Sequence, residues 1–122
     1  MGTIMKIDNL EQALKIFEAS AIKHAVATEE GDYKTVNKNY DRVIKAVKYL
    51  KMHNQMEALA VFLDHPIAGV RVFAATFLLP KNEKRSLKIL KVESKKGGTQ
   101  AFDAKMTIQE WKNGNLNFKN LK

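Results

Sequence analysis

Imidazoles and carboxylates are the groups in this chain suited to moving protons near neutral pH or to holding a metal ion. The three histidines, His24, His53 and His65, fall on separate segments. No HExxH run, paired-histidine spacing or clustered carboxylates accompany them. His24 lies on the apolar side of a helical segment, where a satisfied core histidine is expected. His53 sits at a helix end, where a positive charge suits the dipole, and His65 precedes Pro66 in a turn. Glu29-Glu30 with Asp32 reads as an acidic helix end rather than a cation site. Lys95-Lys96-Gly97-Gly98-Thr99 has the glycines and helix start that can cradle phosphate. The GxxxxGK[ST] spacing after a strand is missing, and helix stop, turn and N-cap explain those residues. Without cysteine there is no disulfide framework, thiolate metal site or cysteine nucleophile. No nucleophile–base spacing stands out, so the residues predict a non-enzyme with no cofactor and no metal.

The elements that carry these residues all scan as helix. Leu10, Leu14, Phe17, Ala21 and Ala25 recur at three- and four-residue spacing and mark a first helix over about 9–29. Gly31 ends it and Asp32 is placed to cap the second, whose stripe is Val36, Tyr40, Val43, Ile44, Val47 and Leu50. Tyr40 is expected in the core and Asp41 in solvent, against the alternative that Asn37, Tyr40 and Asp41 line a pocket. Asn54 is expected to cap a short third helix carrying Met56, Leu59, Val61, Phe62 and Leu63. Pro66 fits the start of a fourth helix and Pro80 its end. Asn82 and Glu83 open a fifth, and Thr99 is expected to cap a sixth ending near Trp111. Leu116 and Phe118 alternate briefly in a polar tail, too short for a strand.

Residues 64–80, DHPIAGVRVFAATFLLP, give the architecture. A turn followed by a nearly all-apolar helix with one arginine is how the second helix of a HEAT-type hairpin announces itself. Val70, Phe73, Ala74, Phe77 and Leu78 occupy one side of that helix and Val72, Ala75 and Leu79 the other. A helix apolar all round is buried on all sides, so Phe73 and Phe77 are expected midway through the stack. Asp64 and Arg71 are expected to lock the repeat, by bonding each other or neighbouring backbone. Leu59 and Phe62 are echoed by Leu87 and Leu90, and Ala74 and Leu78 by Ala104 and Ile108, both at an offset near 30. The predicted fold is all-α: a short HEAT/armadillo-like right-handed α-solenoid of about six helices in three hairpins. One domain over 1–122 is expected, with a core about 9–112 and a tail over 113–122.

Gly31-Asp32, Asn37-x-x-Tyr40-Asp41, Asp64-His65-Pro66, Val70-Arg71 with Ala74-Ala75, Leu79-Pro80, and Ala104-Lys105-Met106-Thr107 ahead of Glu110-Trp111 carry a family likeness over roughly residues 10–115. The chain resembles a small family of uncharacterised bacterial domains with an armadillo/HEAT-like fold. The resemblance implies the fold, a structural place for Trp111, and no established activity. Small proteins of this general type also sit beside bacterial toxin genes, which implies an immunity role by analogy.

Charge supplies the remaining functional signal. The formal net charge is +8, and Lys outnumbers Arg 18 to 3. Residues 1–30 hold three Lys against five acids, so an acidic front leads into a basic body. At roughly 100° per residue, Lys38, Arg42, Lys45 and Lys48 gather on one side of the second helix, with Tyr49 toward them. Lys84, Lys88, Lys91 and Lys95 align on the fifth more narrowly. Two adjacent basic rows predict an interaction module for an acidic protein partner, contacted through Lys38, Arg42, Lys45, Tyr49, Lys84, Lys88 and Lys91. Nonspecific nucleic-acid binding through the same rows is the alternative, and solvated lysine stems covering apolar surface are the bland one. No signal peptide or membrane-length apolar run occurs, so a cytoplasmic protein without a membrane partner is expected.

Overall fold

The protein is described by a computed structural model covering residues 6–116. Phe118, half of the brief alternation in the tail, lies outside those residues, as does the N-terminal start over 1–5. Among the described residues the order is α1 (Leu10–Glu30), α2 (Tyr33–Met52), a 3-10 helix (Met56–Phe62), α3 (Ala68–Leu78), α4 (Glu83–Ser94) and α5 (Gly98–Lys112), with no strand. None of these helices is long and apolar enough to cross a membrane.

Local chemistry sets the boundaries. The Asn9 side chain accepts from the Gln12 backbone N–H at 2.9 Å, and the Gln12 Oε1 accepts in turn from the Asp8 backbone N–H at 2.8 Å. Gly31 adopts a left-handed φ of 71°, which only glycine takes without strain, and closes α1. Asp32 then accepts from both the amide and the hydroxyl of Thr35, at 3.2 and 2.6 Å, and starts α2. These bonds hold the Asp32 carboxyl below its ordinary pKa.

Three expected boundaries differ. Asn54 caps nothing: it takes a left-handed φ of 56° and ends α2, whose Leu50 carbonyl accepts from the Gln55 amide at 2.7 Å. The segment behind it is a seven-residue 3-10 helix rather than an α-helix, long for its type. Pro66 stands two residues ahead of α3, whose N-cap is Ile67. Thr99 lies inside the first turn of α5, and its hydroxyl donates to Glu29 at 2.6 Å, tying α5 to the end of α1.

One core runs through these elements. α1 and α2 make the most extensive packing, through small and medium residues such as Ala13, Ala21, Val43 and Ala46. Phe17 stacks on Phe62 at 5.5 Å and joins α1 to the 3-10 helix. α3 packs against α1, the 3-10 helix, α4 and α5, the central place that its all-round apolar surface demands. Gly69 permits the close approach to α1: a Cβ there would stand 2.8 Å from the Ala25 Cβ. α2, by contrast, has no substantial packing on α3 or α5. A gap therefore opens above the α1–α3 contact.

Candidate functional site

Lys38, Lys45, Lys84, Lys88 and Lys91 are exposed, and Arg42 is half-buried. Each salt bridge found among the described residues involves other cations: Lys6, Lys15, His65, Arg71, Arg85 and Lys96. None of the row residues forms an ion pair among the described residues, although Asp41 shares the α2 face, four residues before Lys45. Tyr49 has a simpler occupation than partner contact, since its half-buried ring stacks on His53 at 4.0 Å and packs on the core. The rows sit on helices that do not pack substantially on each other: α2 leans on α1, and α4 on α3 and α5.

Asp64 and Arg71 are not partners. The Arg71 guanidinium donates to both carboxylate oxygens of Glu93, at 3.1 and 3.2 Å, and to the His65 carbonyl at 2.6 Å. It therefore fastens α3 to α4 and to the preceding turn. Asp64 instead pairs with Arg85 at 3.1 Å on the surface. Burial of Glu93 opposes its ionisation, but bonds and charge from Arg71 and Lys96 hold its pKa below the ordinary value. His65 Nδ1 accepts from the Ile67 amide at 3.0 Å, and its Nε2–H donates to the Glu18 carboxylate at 2.7 Å, linking the same turn to α1. Trp111 is half-buried and its indole N–H donates to Glu83 at 2.6 Å, joining the end of α5 to the start of α4.

The gap above α1 and α3 is a cavity of about 570 Å³. Its floor is a single stripe of α3, with Gly69, Val72, Phe73, Thr76 and Phe77 at helical spacing. Tyr40 and Ile44 of α2 form one wall; Gln100, Asp103, Met106 and Thr107 of α5 form the other. His24 enters from α1, and Leu116 closes the end beyond α5. The rings interlock: His24 meets Phe73 edge-on at 4.9 Å, Tyr40 lies 6.3 Å from Phe73, and Phe73 stacks along Phe77 at 6.3 Å.

Several expectations change here. His24 is not a satisfied core residue; it is half-buried and faces the cavity, and its ring has no hydrogen bond among the described residues. Burial pushes its pKa below 6.5, while the Asp103 carboxylate pulls the other way. Asp103 is raised by burial, against the pull of His24. Tyr40 is 44% exposed at the rim rather than in the core, whereas Asn37 and Asp41 are exposed and do not line the cavity. Phe77 is buried as expected, but Phe73 is only half-buried because it faces the opening. A sequence signal for the site did exist. Gln100, Asp103 and Thr107 recur on one face of α5 beside the Ala101–Ala104 core stripe. Among the described residues no three His, Cys, Asp or Glu side chains gather as metal ligands.

These observations define an all-helical protein with an aromatic, solvent-open cavity and two unpaired basic faces. No protein-family model and no curated protein matches the chain. A solved structure does: the protein RPA1889 from the bacterium Rhodopseudomonas palustris CGA009 shares the fold with a TM-score of 0.82. The match spans 89% of this chain and 96% of that one at 21% sequence identity, a likeness of fold alone.

Proposed function

We propose that the protein is a non-catalytic, cytoplasmic interaction module, a short HEAT-like stack of three helical pairs that binds an acidic protein partner. The observation that carries this is the excess of positive charge, engaged in no ion pair among the described residues, on two helix faces: Lys38, Arg42 and Lys45 on α2 and Lys84, Lys88 and Lys91 on α4. Such a face speeds association with an oppositely charged surface more than it deepens affinity. The stacked reading is supported by the central, all-round packing of α3 and by the offset near 30 between Leu59/Phe62 and Leu87/Leu90. A toxin with an acidic surface would be one partner of the right chemistry.

Titration with random duplex DNA separates this reading from nucleic-acid binding. Several phosphate contacts would cost a factor of about 10³ or more in affinity between about 50 and 200 mM salt. The protein reading expects micromolar or weaker DNA binding even at low salt. Tight, steeply salt-dependent binding would replace it with the nucleic-acid alternative.

A further inference from the structure

The cavity differs in charge from the molecule around it. The chain carries 21 Lys and Arg against 13 acids, yet among the described residues no Lys or Arg lines the cavity, and one carboxylate, Asp103, does. The α2 lysine row does not contribute: Tyr40, which faces the cavity, stands about 160° around the helix from Lys38. Four rings, His24, Tyr40, Phe73 and Phe77, supply the apolar walls. Gln100 and Thr107 place further polar groups on the α5 wall with Asp103. A volume of about 570 Å³ suits a small organic ligand.

We infer that this cavity binds a small organic cation, with a planar apolar body against the α3 rings and a protonated amine directed to Asp103. The rings favour such a ligand twice, by burying its apolar surface and by presenting π-faces to its charge. The carboxylate, partly stripped of water by its surroundings, gains from an approaching cation what it has lost from solvent. An anion would meet Asp103 with no lysine or arginine among the described lining residues to offset it. The site is independent of the basic faces and would stand if their partner proved different.

Three indole probes test this, titrated calorimetrically into the full chain: tryptamine and tryptophol, matched in shape, and the slightly longer indole-3-propionate. Tryptamine is expected to bind about tenfold more tightly than tryptophol, with the carboxylate weaker still. Asp103→Asn, at an exposed position, should keep the fold by circular dichroism and abolish the preference, while Lys38→Glu should leave it. Methyl NMR shifts on tryptamine addition should centre on Ile44, Val72 and Met106. Equal affinity for amine and alcohol, a preference that survives Asp103→Asn, or no binding of any probe at millimolar concentration would overturn the assignment.

Discussion

Glu93 is a carboxylate at 4% exposure whose charge is matched by the Arg71 fork and by Lys96 at 3.0 Å. Removing Arg71 leaves that charge buried with one lysine, so Arg71→Met should cost about 3 kcal/mol in urea unfolding. Asp64→Ala, which breaks a pair whose aspartate side chain is 86% exposed, should cost less than about 1 kcal/mol. A double-mutant cycle should show strong coupling for Arg71 with Glu93 and almost none for Arg71 with Asp64; comparable couplings would contradict this arrangement. Titration of His24 gives a second test at this scale. Its folded pKa lies below the unfolded 6.5, so its contribution to stability is intact above pH 6.5 and erodes as pH falls below it. His24→Gln should flatten that part of the profile. Because the Asp103 charge raises the His24 pKa, Asp103→Asn should move the His24 NMR titration further down. An unmoved titration would mean that the two groups do not sense each other.

At the scale of elements, the α1–α3 contact depends on a missing side chain. Gly69→Ala would push a methyl against Ala25, 2.8 Å away, and should destabilise by about 2 kcal/mol, with Ala25→Gly restoring part of the loss. If Gly69→Ala instead stabilised the protein, the approach of the two helices would be looser than described. The helices themselves were legible because periodic apolar faces and punctuating Gly31, Pro66 and Pro80 stand in the sequence. Their ends were less so. Asn54 and Thr99 are good N-cap residues by type, yet one serves α2 as a left-handed terminator and the other bonds across to Glu29. Residue type permits either use, and tertiary contacts choose. The cavity was hidden for the same reason. Tyr40 and His24 carry the periodicity of core positions, and only the divergence of α2 from α3 and α5 leaves them facing open space. Arg71 was legible as a locking residue, but its partner lies 22 residues on in α4, beyond what spacing alone can pair.

At the scale of the whole molecule, the fold keeps two features apart. The aromatic cavity lies between α2 and α5, and the lysine rows, free of ion pairs among the described residues, lie on faces of α2 and α4. A net charge of +8 attracts acidic surfaces over roughly 8–10 Å at physiological salt, beyond which it is screened. The most direct test is quantitative capture from native host extract, comparing the protein with its Lys38→Glu/Arg42→Glu/Lys45→Glu variant. The account predicts an acidic protein enriched by the native chain, lost by the variant, and released as salt rises. Identical capture by the two chains would contradict it.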